Sequence, residues 1–487
     1  MYRTEQDLLG FLDIPAEAYY GIHTARSREN FNITGIPVDR EIIMSLALVK
    51  RAAALANMEL GRLEGDKGGA IARAAAEVAE GNFMEQFSLD SIQGGAGTSI
   101  NMNVNEVIAN RAIELLGGQK GDYGIVSPND HVNMAQSTND VLPTAIHIAL
   151  LNKTERLADS LGGLIEALGR KAEEFDGVVK TGRTHLQDAV PIRLGQEFSA
   201  YSAVMKRSLN RVTAAAGGLR EINLGATAVG TGLNAGRRFS GLALEHLCAI
   251  TGHRLFRAVD LVDATQNQDV LLELSGALRE LAVMLSKIAG DLRLMSSGPR
   301  CGFGEMTLPE VQAGSSIMPG KINPVIPETV NQVCFQVLGN DLAVSLAMQA
   351  GQLELNVMSP VTVYNLVNSL HLLTNAIAAF DRRCVRGIKA NAGRCGQLVE
   401  KSLGLLTALV PRIGYKEACS AAREAGERGD SPVEVLLRRN LLTREELAEL
   451  LSPLGMTTPG GVEGDGGSLP AQPAEFQNIR HNSEVVK

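Results

Sequence analysis

The sequence contains no tryptophan, and aromatic residues make up only 4% of its 487 positions. A large core built without aromatic bulk must be packed from aliphatic side chains, and a hydrophobic fraction of 45% is ample for that. No uninterrupted apolar run is long enough to span a membrane. The first residues, Met1-Tyr2-Arg3-Thr4-Glu5-Gln6-Asp7, lack the apolar segment of a signal peptide. A basic block is missing too. Lys and Arg total 46 against 54 Asp and Glu, a formal net charge of −8, which argues against nucleic acid or an anionic membrane surface as a partner. The six cysteines (Cys248, Cys301, Cys334, Cys384, Cys395, Cys419) include no Cys-x-x-Cys pair and read as reduced thiols of a cytoplasmic protein. There is no His-x-x-x-His pair and no His/Cys cluster, so no metal is expected, and no cofactor motif survives inspection.

What is present is a succession of long helical periodicities. The longest covers about Thr265 to Met295, where Leu271, Leu274, Leu278, Leu281, Leu285, Ile288, Leu292 and Met295 recur at three and four residues. Such a helix is about 45 Å long at roughly 1.5 Å per residue and needs neighbours of similar length. Patterns at about 141–171, 193–219, 327–350 and 361–386 supply them, which makes an all-α protein with a central bundle of long helices. A length of 487 residues fits about three domains at roughly 150 residues each. The expected division is a mixed, mainly helical 1–140, the long-helix bundle 141–392 and a small helical 393–457. In the last, Ser431-Pro432-Val433-Glu434 and Thr443-Arg444-Glu445-Glu446 are capping-box openings. Residues 458–487 are Gly-rich and polar and are expected to be disordered and dispensable for chemistry.

Four polar clusters interrupt the helices. Gln93-Gly94-Gly95-Ala96-Gly97-Thr98-Ser99 leads into a helix over about 103–116, where Thr98 read alone is an N-cap. A helix start of this kind is also an anion site. Ser137-Thr138-Asn139 forms a second helix entry, with Pro143 expected inside the first turn that follows. Lys180-Thr181-Gly182-Arg183-Thr184-His185-Leu186-Gln187-Asp188 precedes a third helix. The fourth is Gly314-Ser315-Ser316-Ile317-Met318-Pro319-Gly320-Lys321-Ile322-Asn323-Pro324, in which glycine and proline resist regular structure. It is not a phosphate-binding P-loop. Five residues separate Gly314 from Gly320-Lys321 where that motif needs four, and Ile322 stands where Ser or Thr is required. Gly230-Thr231-Gly232-Leu233-Asn234-Ala235-Gly236 likewise lacks dinucleotide-binding spacing and a preceding strand.

The fourth cluster resembles the signature of the fumarase/aspartase superfamily, with Gly314, Ser315, Met318, Lys321 and Asn323 at its fixed positions, and the other three resemble the same family's site segments. The similarity runs from about Arg3 to about Pro453. It implies the superfamily's three-domain helical fold and a homotetramer in which each site draws on three subunits. It also implies anti-elimination from a small dicarboxylate, through an aci-carboxylate dianion. Within the superfamily the spellings Ser137-Thr138-Asn139, Leu186-Gln187-Asp188, Leu224-Gly225-Ala226 and Val311-Gln312-Ala313 lean to the aspartase branch, which releases ammonia from L-aspartate to give fumarate. The resemblance assigns the base to Ser315 and the donors on the developing charge to Thr98, Ser137, Thr138 and Ser316. It gives the α-carboxylate to Lys321 and Asn323, and the α-ammonium to Asn139, Thr184 and His185, with His185 also assisting departure. Class II fumarase is the nearest alternative, and a non-catalytic crystallin-like scaffold a more distant one. Ser359, where aspartases tend to carry Glu, departs from the pattern and reads as a packing or interface difference.

Overall fold

The structure, a computed structural model, describes residues 1–458, so the expectation for the Gly-rich tail falls outside the described residues except at Thr458. The chain opens with a hairpin, β1 (Tyr2–Asp7) and β2 (Gly10–Pro15), followed by α1 (Ile22–Asn30), α2 (Arg40–Glu59), α3 (Gly65–Ala79) and α4 (Thr98–Leu115). Then come α5 (Thr138–Glu174), a second hairpin of β3 (Val179–Thr184) and β4 (Gln187–Arg193), and α6 (Leu194–Gly218). Next are α7 (Arg237–Thr251), α8 (Leu261–Gln266), α9 (Asp269–Met295), α10 (Val325–Gln349) and α11 (Ser359–Arg383). Six shorter helices, α12 (Ala392–Lys401) to α17 (Pro453–Thr457), close the described chain. The helical expectation holds, and the strands among the described residues form only two-stranded pairs.

The chain divides into two compact units. One comprises Met1–Ile165, Ala203–Arg293 and Val311–Cys384, the other Glu166–Ser202, Leu294–Glu310 and the chain from Val385. In the first, the α9 seam is buried as its spacing predicts: Leu274, Leu281, Leu285, Ile288 and Leu292 are all 0% exposed. In the second, both capping boxes form. Ser431 and Thr443 accept from the backbone N–H of Glu434 and Glu446, whose carboxylates accept in return. Leu406, Leu409, Ala421, Val435 and Leu436 form that small core.

Two boundaries differ from expectation for local reasons. The pattern from Thr265 is not one helix: α8 ends at Gln266 and α9 starts at Asp269. Asn267 is extended there and donates through Nδ2 to Asp263 Oδ1, and such side chains compete with helical hydrogen bonding. Pro143 lies in the second turn of α5, because the helix starts at Thr138. Proline cannot donate to the carbonyl four residues back. Asn223 Nδ2 donates to that carbonyl, Asn139 O, at 3.0 Å instead.

Candidate active site

The 314–324 segment has no regular structure and closes on itself. Gly314 N–H donates to Lys321 O at 3.0 Å, and Asn323 Nδ2 donates to Gly314 O at 2.6 Å. A Cβ at Gly314 would lie 2.4 Å from Lys321 O and 2.7 Å from Asn323 N, so only glycine fits this pinch. Gly320 completes the return with φ +78°. Inside the loop, Ser315 Oγ accepts the backbone N–H of Met318 at 2.9 Å and of Ile317 at 3.3 Å. Two N–H groups aimed at one hydroxyl oxygen stabilise negative charge on it. Ser316 and Lys321 are exposed, as are Ile317 (83%) and Met318 (48%). Asn323 spends one Nδ2 proton on the loop and keeps the other.

Thr98 is not the cap of α4. Gly97 takes that place with φ +82°, makes no side-chain cap bond, and packs so tightly that a Cβ would fall 2.1 Å from Leu142 Cδ2. Thr98 is instead the exposed first residue of the helix, at an 18-residue helix N-terminus without a side-chain cap. This removes the capping reading and leaves an anion-binding geometry.

Ser137 does cap its helix. Its Oγ accepts the Asn139 N–H at 3.2 Å, and Asp140 Oδ1 accepts the Ser137 N–H at 3.0 Å. Thr138 Oγ1 accepts from Asn101 Nδ2 at 3.1 Å, which ties the start of α5 to the first turns of α4 and leaves the Thr138 proton as a donor. Asn139 Nδ2 donates to Ala228 O at 2.8 Å, leaving Oδ1 as the acceptor an ammonium needs. The second helix entry is therefore made of hydroxyls whose oxygens are already engaged and whose protons are available.

Behind it lies a buried polar group that the sequence reading missed. Lys50, 0% exposed, donates to Asn133 Oδ1 at 2.8 Å and Gln136 Oε1 at 3.0 Å, and Asn133 Oδ1 also accepts from Asn101 Nδ2 at 3.2 Å. Asp140, 0% exposed, accepts the N–H groups of Gly225 and Thr227 through Oδ2. Burial pushes the Asp140 carboxyl up to about 6 and the Lys50 ammonium down to about 7, each partly held back by the other's charge. The signal was in the sequence: Lys50 falls on the apolar stripe of Ile43, Leu46 and Ala53, where a charge needs partners.

Thr184 and His185 lie in the second unit, at the tip of the β3–β4 hairpin, where residues 184–188 are all exposed. The two-residue turn is His185-Leu186, with φ +55° and +59°. Left-handed backbone at both positions suits Asn-Gly and costs bulky residues about 1–3 kcal/mol each. A register shift at Gly182 aims the tip, and a Cβ there would lie 2.5 Å from Val190 O. Within one chain, then, the helix entries that carry Thr98 and Ser137–Asn139 are tied together through Asn101 and Thr138. No hydrogen bond among the described residues joins them to the 314–324 loop.

Comparison with known proteins gives a consistent picture. A family profile described as "Lyase" matches residues 10–339, and one described as "Fumarase C C-terminus" matches 405–458. Aspartate ammonia-lyase of Bacillus subtilis (strain 168) is 54% identical over 94% of this chain and 97% of its own length. That of Escherichia coli (strain K12) is 48% identical over 94% and 96%. Among solved structures, a fumarate lyase:delta crystallin from Brucella melitensis bound to cobalt superposes with a TM-score of 0.92 at 49% identity, covering 94% of this chain and all of the other. A class II fumarase from Schistosoma mansoni gives 0.89 at 38% identity, with the same coverage.

Proposed function

The chain belongs to the fumarase/aspartase superfamily of lyases, and we infer from that membership that it is an aspartate ammonia-lyase, eliminating ammonia from L-aspartate to give fumarate. The observation that carries this reading is agreement over 94% of the chain with relatives of that name, against 38% identity to the class II fumarase. Fumarase is thereby the weaker reading. The distinguishing experiment offers the protein aspartate, malate and argininosuccinate separately and follows fumarate by its ultraviolet absorbance. Fumarate from aspartate alone is expected. Faster formation from malate would replace this reading with hydratase activity.

The residues divide the reaction among them. Ser315, its oxygen supported by the Ile317 and Met318 N–H groups, takes the Cβ proton. The electron pair moves onto the β-carboxylate, and Thr98, Ser137, Thr138 and Ser316 donate to the oxygens where charge develops. Lys321 and Asn323 hold the α-carboxylate. Asn139, through its open Oδ1, and Thr184 and His185 hold the α-ammonium, which leaves as the Cα–N bond breaks. None of these steps requires a metal or cofactor.

A homotetramer with sites shared between subunits accounts for two further features. The Ser315 loop and the Thr184-His185 tip are both exposed in the single chain. On α10, Phe335, Leu338, Leu342 and Leu346 are 64%, 38%, 62% and 58% exposed along one helix face, an apolar stripe that a neighbouring bundle would cover. The six thiols form no disulfide, which supports a cytoplasmic location.

A further inference from the structure

We propose that Glu305 is a positioning residue for the ammonium end of the site, holding the strained His185-Leu186 turn in register through Arg183 and Lys180. The proposal rests on the assignment of Thr184 and His185 to the substrate ammonium.

Strand β3 carries two cations just before the turn. Arg183 adjoins Thr184, and its Nη1 donates to Glu305 Oε1 at 2.7 Å and to Thr181 O at 3.3 Å. Its guanidinium lies 4.1 Å from the Phe303 ring centroid. Lys180 Nζ donates to Glu197 Oε1 at 2.9 Å and lies 3.3 Å from Glu305 Oε2. Glu305 is 0% exposed, so both of its oxygens meet β3 cations in a place with no competing water. Its backbone is fixed on both sides. Glu305 N–H donates to Met295 O at 2.9 Å, and Glu305 O accepts the Asn391 N–H at 2.9 Å. Arg394 holds the carbonyls of Gly302 and Phe303, and Asn391 Nδ2 holds that of Gly304.

Left-handed backbone at a leucine persists only where its surroundings over-determine it. That constraint is absent at the tip, where residues 184–188 are all exposed. It is present one residue back, where Arg183 enters the buried carboxylate. Stability alone is a weak reason to bury such a group, since desolvating the charges offsets most of their attraction. Fixing the direction in which Thr184 and His185 leave the sheet is a stronger one.

The test uses the reverse reaction, in which fumarate and ammonium are separate substrates with separate KM values. Glu305→Gln keeps the shape and removes the charge. It should raise the KM for ammonium roughly tenfold or more and lower kcat, with the KM for fumarate within about twofold of wild type. Arg183→Met carries the same expectation and leaves both Lys180 pairs in place, so it retains the fold where Glu305→Gln fails to. Thr184→Ala and His185→Ala are the reference variants. If these two raise the ammonium KM while folded Glu305→Gln and Arg183→Met leave it unchanged, the positioning role is refuted and the ammonium assignment stands. If Thr184→Ala and His185→Ala leave it unchanged, the assignment fails and the proposal with it. Equal increases for fumarate and ammonium would mark a general disturbance and also overturn it.

Discussion

Two serine-bearing segments on the same chain are built in opposite ways. The Ser315 loop draws its hydrogen bonds from its own residues, apart from the Val325 and Glu328 N–H groups of α10 at its end, and much of it is open to solvent. The Ser137-Thr138-Asn139 helix entry is held from behind by Asn101, Asn133, Gln136, Asp140 and the buried Lys50. The difference matches what each must do. Donors for a developing charge work best when fixed in advance by a rigid, water-poor surround. A base must reach the proton after substrate has entered, and an exposed loop with a rigid neck permits that.

The buried side of the comparison breaks through Lys50, with the largest expected effect. Folded Lys50 loses its proton above about 7, whereas the unfolded chain keeps it to 10.5. Between those values the unfolded state binds more protons, so stability rises with pH across that window. A shift of about 3.5 units sets an upper limit of roughly 5 kcal/mol on this gain. Lys50→Met lacks the group. Chemical denaturation of both proteins between pH 7 and 10 should show wild type gaining stability relative to the variant. A constant difference would mean that Lys50 stays charged in the fold.

The exposed side breaks at its neck. Gly314→Ala forces a methyl against Lys321 O and Asn323 N, which displaces Ser315 from its place. A displacement of about 1 Å costs on the order of 10² in rate. We expect kcat to fall by about that factor while the thermal midpoint stays near wild type, because the atoms nearest the added methyl, in Lys321, Ile322 and Asn323, belong to the loop itself. Steady-state kinetics alongside calorimetry checks both halves. The rigid segment breaks differently at Ser137→Ala, which removes both the cap of α5 and a donor to the developing charge. It should cost about 1 kcal/mol of stability in denaturant titration together with about 10² in rate. Unchanged stability would erase the contrast between the two segments, since Gly314→Ala is expected to leave stability near wild type.

How far the sequence foretold this structure depends on which interactions set each element. The α9 seam and the capping boxes at Ser431 and Thr443 were readable because spacing and local hydrogen bonds decide them. The loop was readable because its glycines and prolines exclude regular structure. Propensity alone makes Thr98 a cap, because the close approach of Leu142 to Gly97, the actual N-cap, is a tertiary fact that it cannot register. The β3–β4 hairpin stayed hidden because its turn is His-Leu rather than Asn-Gly, and because Gly182 interrupts the alternation. The place of Lys50 on an apolar stripe was legible but its partners were not, since they, like those of Glu305, lie far away in sequence.

Whether Ser315 takes the proton is decided by the turnover of Ser315→Ala with aspartate. The variant lacks only a hydroxyl in an exposed loop, so it should fold, assemble and bind aspartate as wild type does. Its kcat should fall by at least about 10² while binding persists. A folded, assembled Ser315→Ala protein with near-normal kcat would contradict that assignment and pass the role of base to another group.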